Sequence, residues 1–280
     1  MSTFGTRVLT DPVSQWFINK PLSLVANEFQ RVGPISVAAD STKDVKGAWV
    51  EIVASTSAAA NMMYLTLSDT GQSSLNTGVL LDIGIGSAGS ESVVIENIPC
   101  GWTGSVNSAI TLHQFPIAIP AGTRISARCQ AFIASDTVNV RINLASLPDF
   151  FAHGSVTTIG AATTDSRGTN LPSNDTYVEL IASTSQQYRA IVMIPCLGST
   201  TNPAVAGETS LYTLGIGAAG SEVAVMTMNA TSTTGELLFV ALDTRNMIYA
   251  PANPIPQGIR IAVKQSIGRN YRDVIIYGVV

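Results

Sequence analysis

Two glycine-rich runs, Gly84-Ile85-Gly86-Ser87-Ala88-Gly89 and Gly215-Ile216-Gly217-Ala218-Ala219-Gly220, carry the G-x-G-x-x-G spacing with which dinucleotide-binding proteins cradle a pyrophosphate. That chemistry needs the glycines to turn a strand into a helix whose N-terminal N–H groups hold the anion. The next residues are Ser90-Glu91-Ser92-Val93-Val94-Ile95 after one run and Ser221-Glu222-Val223-Ala224-Val225-Met226 after the other, and both segments are strand-like. The runs are therefore expected to be tight hairpins in which glycine supplies positive φ angles, with no cofactor bound.

The remaining reactive residues do not converge in the sequence. His113 and His153, the two histidines, have no H-x-x-H or H-x-x-x-H partner for a metal, so no metal site is expected. Cys100, Cys129 and Cys196 lack the paired spacing of a zinc site or a disulfide framework and are expected to be reduced, small core residues. No G-x-S-x-G element accompanies a histidine, which leaves nucleophilic catalysis without a sequence basis. The carboxylates Glu51, Asp82, Glu91, Glu96, Glu179 and Glu222 could in principle supply a glycosidase acid and nucleophile. Glu51 and Glu179 recur at equivalent positions, as do Glu91 and Glu222. That recurrence favours a structural role, such as bonding a turn or pairing with the recurring Arg124 and Arg260; the alternative is ligand or cation binding.

The elements that position these residues are written twice. Val50–Ser57 returns as Val178–Ser185, Ile83–Glu91 as Leu214–Glu222, and Pro120–Ile125 as Pro256–Ile261. The offset between the pairs grows from 128 (Val50 to Val178) to 131 (Ile83 to Leu214) to 136 (Pro120 to Pro256). Conserved order with drifting offset describes duplicated domains with loops of changed length. A repeat of this size is far above the period of roughly 20–50 residues found in solenoids, so each copy should own a core.

Period-two alternation marks strands in the first copy, most cleanly at Val138–Leu144, and again in the second, at Tyr177–Ala182, Ala190–Ile194, Leu211–Ile216, Val223–Met228, Leu237–Leu242, Arg260–Lys264 and Val274–Tyr277. With no amphipathic helix visible, the expected class is all-β, as two tandem homologous β-sandwiches. The expected boundaries are an N-terminal arm at 1–43, a first sandwich at 44–147, a Gly/Thr/Ser-rich linker at 148–172 and a second sandwich at 173–280. The arm carries Trp16, Phe17, Leu22 and Phe29, too apolar a load for a disordered tail. It packs either on its own domain or on a neighbouring subunit.

Charge narrows the partners. The chain has a net charge of −4 and a pI of about 5.1, without the basic footprint of a duplex-binding protein, so no nucleic-acid partner is expected. No run reaches the roughly 20 apolar residues of a membrane helix, and the opening Met1–Arg7 lacks the apolar core of a signal peptide. A soluble product that is not routed through a secretory pathway is expected, with no membrane partner. Only 12% of residues are charged and mean hydropathy is +0.30, which fits a Thr/Ser-surfaced β protein, a subunit that buries much of its surface in an assembly, or both.

The runs EIVASTS (Glu51–Ser57), LDIGIGSAGSE (Leu81–Glu91) and PIAIPAGTRISAR (Pro116–Arg128) give the chain a resemblance to structural proteins of tailed-bacteriophage virions. The resemblance covers most of both copies but not the arm. It implies jelly-roll-type β-sandwiches on the exterior of the particle, as a tail component or a head decoration. It also implies a homo-oligomer whose partners are copies of itself and other virion proteins, and it supplies no catalytic residue. The expectation is a non-enzymatic assembly protein. The rival is a glycan- or receptor-binding module, adhesin-like, with Trp102 and Tyr188 as the aromatic faces on which a host sugar would stack.

Overall fold

The structure is a computed structural model in which residues 28–69, 78–100, 110–146, 155–196, 209–231, 247–249, 253–266 and 272–280 are described. Its strands are β1 (Glu28–Ala38), β2 (Val50–Val53), β3 (Met62–Asp69), β4 (Val79–Ile85), β5 (Ser92–Cys100), β6 (Ile110–Phe115), β7 (Ile125–Ala131) and β8 (Thr137–Ala145) in the first copy. The second copy has β9 (Val156–Ile159), β10 (Ala161–Ala162), β11 (Arg167–Leu171), β12 (Val178–Ile181), β13 (Ala190–Cys196), β14 (Thr209–Ile216), β15 (Val223–Thr231), β16 (Met247–Tyr249), β17 (Ile261–Ser266) and β18 (Arg272–Val279). Among the described residues there is no α-helix, only a 3-10 turn at Thr163–Asp165. The expected strand Leu237–Leu242 lies outside the described residues.

The first copy forms sheets ordered β1-β8-β3-β6 and β2-β7-β4-β5. The second repeats that order as β11-β18-β13-β16 and β12-β17-β14-β15, with β9 also paired to β18 and β10 folded onto β11. This interleaving of the first and last strands is the jelly roll, in which closing two sheets face to face buries one side of each strand. Strand β8 shows the cause plainly. Val138, Val140, Ile142 and Leu144 are fully buried while Thr137, Asn139, Arg141 and Asn143 face away from that core.

The pairings correct two boundaries expected from the sequence. Residues 28–38, read as part of the arm, are the edge strand of the first sandwich, paired antiparallel to β8. Residues 156–171, read as linker, carry the same strand in the second sandwich. There Thr157, Thr158 and Ile159 oppose Gly278, Tyr277 and Ile276, just as Gln30, Arg31 and Val32 oppose Leu144, Asn143 and Ile142. Beyond the break, Thr169 opposes Val274 as Ile35 opposes Val140. The first strand of the jelly roll is thus continuous through Gly33-Pro34 in one copy. In the other it is interrupted by an excursion, Ala161–Gly168, inserted where Pro34 alone stands. That insertion hid the repeat.

The two sandwiches share apolar surface. On β13 and β18, Ile191, Met193, Val274 and Ile276 fill the core of the second copy. The residues between them, Ala190, Val192, Ile194, Ile275, Tyr277 and Val279, join the core cluster of the first. The sheet is buried on both faces, which is why these strands read as unbroken apolar runs instead of alternating ones.

Candidate functional site

The three runs that carry the repeat meet at one corner of each sandwich. The β4–β5 hairpin closes through a Ser90 N–H to Ser87 carbonyl bond at 3.0 Å, and its partner in the second copy closes from Ser221 to Ala218 at 3.0 Å. Gly86 (φ +115°) and Gly217 (φ +113°) occupy a conformation that a side chain would strain, as the hairpin reading requires. A strand comes after each run, so neither forms the strand-to-helix turn of a dinucleotide cradle.

Arg124, just before β7, spans this corner. Its Nε donates to Glu51 Oε2 of β2 at 2.7 Å, and its Nη1 to Glu91 Oε1 at 2.9 Å and to the Gly86 carbonyl at 3.2 Å. Arg260 does the same with Glu179 Oε2 at 2.7 Å, Glu222 Oε1 at 2.7 Å and the Gly217 carbonyl at 3.5 Å. The bonds to Glu51 and Glu91 raise Arg124 above its usual range, and those to Glu179 and Glu222 raise Arg260. Burial pushes the Glu91 carboxyl upward. The bond from Arg124 and those from the N–H groups of Glu91 and Gly89 outweigh it, leaving the group below the ordinary glutamate range. Glu222 is lowered by its own N–H, then by Arg260. Glu91 and Glu222, held on a guanidinium in this way, are poor proton donors. What they do is pin the ends of three strands together.

A hydroxyl staple completes the corner. Thr56 Oγ1 donates to the Pro120 carbonyl at 2.7 Å and accepts from the Thr123 N–H at 2.9 Å, as Thr184 does with Pro256 at 2.8 Å and Ile259 at 3.1 Å. Beside it Trp49 lies across Gly84 under the Arg128 guanidinium, 4.5 Å from the ring centroid. Tyr177 lies across Gly215 with Lys264 Nζ at 5.2 Å. The aromatic–cation pair is duplicated too.

One constellation is not duplicated. Asp82, in the middle of β4 and 2% exposed, stands where the second copy has Thr213. It accepts from Lys46 Nζ at 2.7 Å, Arg128 Nε at 3.0 Å and the Asn97 N–H at 2.9 Å. Lys46 also donates to the Leu80 carbonyl at 3.2 Å and Asn97 Oδ1 at 3.0 Å. Burial draws the Lys46 ammonium below its usual range despite the opposing pull of Asp82. Asn97 (φ +57°) is an extra residue. Ile83 opposes Ile95 and Leu81 opposes Ile98, leaving β5 one residue longer than β4 between those pairs, whereas Leu214–Met226 and Tyr212–Met228 stay in step. The carbonyl of this bulge accepts the Tyr277 hydroxyl of the second copy at 2.8 Å. The charge cluster therefore shapes a docking point for the other sandwich. Nothing in the repeat pointed to Lys46 or Asn97, but a carboxylate inside the apolar run Val79–Ile85 was a signal that cations had to lie nearby.

Other contacts between the copies surround this point. Thr158 Oγ1 donates to the Glu96 carbonyl at 2.6 Å, and the Phe115 and Tyr277 rings meet edge to face at 5.2 Å. The excursion in the second copy reaches over as well. Gln130 Nε2 donates to the Thr163 carbonyl at 2.6 Å and to Ser166 Oγ at 3.1 Å, and Ser166 Oγ donates to Asp44 Oδ1 at 2.7 Å.

The other expected site residues are dispersed. His113 is buried, with Nε2 2.9 Å from the Pro99 carbonyl. Cys100 and Cys129 are buried and not joined in a disulfide. Among the described residues no three His, Cys, Asp or Glu side chains stand together as a metal site, and no helix is long and apolar enough to cross a membrane. Trp102 and His153 lie outside the described residues. Tyr188, expected as a sugar-stacking face, is fully buried with its ring packed against Gly278, where an added Cβ would stand 2.5 Å from it. That corrects the expectation, because a ring covered by its own sheet offers no face to a glycan.

No protein-family model and no curated protein sequence matches the chain. Among solved structures it is similar to the STIV MCP, at a TM-score of 0.41 and 8% identity over 90% of this chain and 96% of that one. It is similar to PNGF-II at 0.43 and 10%, over 87% of this chain and 64% of that one. It is also similar to the infectious bursal disease virus VP2 subviral particle at 0.23 and 12%, over 81% and 58%. The chain thus spans less than two thirds of the latter two, and at such scores and identities these likenesses carry no functional assignment.

Proposed function

We propose that this chain is a non-enzymatic structural subunit that assembles on the exterior of a virion, as a tail component or head decoration of a tailed phage. The observation that supports this most is where the distinctive residues lie. The runs that resemble phage structural proteins supply Glu51, Thr56, Glu91, Pro120 and Arg124, and each of these ties strand ends together in the first sandwich. The second copy keeps the same ties. Such residues hold a rigid shape twice over. The charge cluster that departs from the repeat serves the contact between the copies.

The adhesin reading loses Tyr188, the aromatic face it could point to among the described residues. The assembly reading is tested on purified particles and on the isolated chain. Mass spectrometry and electron cryo-microscopy of particles are expected to find the chain in multiple copies on the outer surface, and light scattering to find an oligomer. A stable monomer that is missing from purified particles would overturn the reading.

A further inference from the structure

The duplication makes one surface answer for another. In the first copy the β5 edge is protected in several ways. It carries Glu96, the Asn97 bulge and Pro99, and β9 of the second copy lies against it with Thr158 bonded to the Glu96 carbonyl. The homologous edge is β15, where Thr227 takes the place of Glu96. Its sequence, Val223–Thr231, holds no charge and no proline, and it lacks the second bulge. Val223 is 64% exposed, and Ala224, Thr227 and Asn229 are exposed as well. Among the described residues nothing pairs with its outer side. An uncharged edge nine residues long is one that isolated proteins avoid, because its free N–H and C=O groups invite another chain.

The element that covers β5 also has a homologue left over. β9 corresponds by register to Glu28–Val32 of β1, and Arg31 stands where Thr158 does. Arg31 is exposed and belongs to an edge strand. The adjoining sheet face differs in character between the copies. Where the second sets Ile275 and Tyr277 against the first, the first has Arg141 and Asn143, on a face they share with the buried cluster of Met62, Tyr64 and Ala145.

We infer that the free edge of β15 is the docking line for a second copy of this chain, which covers it with the Glu28–Val32 half of its own β1 and sets Arg31 against the Thr227 carbonyl. The contact repeats between chains what β9 and β5 do within one. Since β1 and β15 are different surfaces, it is head-to-tail, closing into a ring or running on as a filament. The inference rests on the assembly reading and adds the surface by which assembly happens.

The test uses the full chain in analytical ultracentrifugation, with Thr227→Lys and Val223→Glu on β15 and Arg31→Glu on β1. Wild type is expected to self-associate, and each variant to weaken association at least tenfold while keeping the wild-type circular dichroism and melting profile. In a Cys196→Ser background, an Arg31→Cys chain mixed with a Thr227→Cys chain is expected to give a mixed-disulfide dimer that neither forms alone. Association of both β15 variants at wild-type strength, or the absence of that mixed dimer, overturns the docking line while leaving the assembly reading intact. A wild type that stays monomeric and is absent from purified particles removes both.

Discussion

Replacing Asp82 with Asn tests whether the unduplicated charge cluster supports the contact between the sandwiches. The amide keeps the shape of the side chain, and its oxygen can still accept the Asn97 N–H. What disappears is the negative charge facing Lys46 Nζ at 2.7 Å and Arg128 Nε at 3.0 Å. Stranding a buried charge costs about 3–5 kcal/mol, and a hydrogen bond to a charged group is worth about 1.5–3 kcal/mol. The Lys46 and Arg128 side chains retain 20% and 31% of their exposure, so water recovers part of the loss. The expected destabilisation is therefore about 3 kcal/mol, a fall in melting temperature of about 6–10 °C for a chain of this size. The more specific expectation is coupling. Tyr277→Phe removes the hydroxyl that bonds the Asn97 carbonyl across the interface, and Asp82 holds the N–H of the same residue. A double-mutant cycle by urea denaturation should give a coupling of about 1 kcal/mol, since residues in one network are not additive. A loss below about 1 kcal/mol for Asp82→Asn, or additivity within about 0.3 kcal/mol, would refute the reasoning.

Gly84→Ala and Gly215→Ala should each destabilise by about 1–3 kcal/mol in thermal melts, because the new methyl would stand 2.7 Å from the Trp49 ring and 2.6 Å from the Tyr177 ring; unchanged melting would contradict the packing. Burial pushes the Cys129 thiol from 9.0 up to about 12, so the folded state keeps a proton that the unfolded chain loses, and stability should fall as pH rises above about 9. In a Cys196→Ser background at pH 8, Cys100 and Cys129 should react with a thiol reagent only as fast as the protein unfolds, and rapid labelling of native protein would count against this. Glu91 and Glu222 sit below the ordinary 4.5, so their contribution is complete above that value and is lost as pH falls through the folded values. The acid loss of stability should be shallower in Arg124→Gln with Arg260→Gln, and an identical acid profile in that double variant would rule the clamps out as its source.

The fold class was legible because β8 alternates cleanly and because the repeat shows each copy to be complete. The clamps were legible because Glu51, Glu91 and Arg124 recur in the same order, each within its repeated run, as Glu179, Glu222 and Arg260. The first strand of each jelly roll was not. In the second copy Ala161–Gly168 breaks it, so neither period nor repeat survives, and in the first copy Gly33-Pro34 interrupts the alternation. Strand β6 escaped for another reason. Its apolar Leu112 is 47% exposed while His113 beside it is buried, which inverts the pattern that hydrophobicity reports. Tyr188 misled because residue type says nothing about which face of a sheet a ring covers.

The residues that repeat and those that do not have separate physical tasks. Everything duplicated, from the arginine clamps to the threonine staples and the aromatic rings over glycine, closes a corner within one sandwich. The parts peculiar to one copy meet each other across the interface. The longer β1–β2 connection of the first copy, from Ala39 to Trp49 against Pro172 to Tyr177 in the second, supplies Asp44 and Lys46. Its extra residue Asn97 receives Tyr277, and the excursion of the second copy supplies Thr163 and Ser166. Two identical sandwiches would have presented identical faces and associated without limit. The insertions make one pairing permanent within the chain. The β15 edge received none of them, which is why the proposed contact between chains falls there.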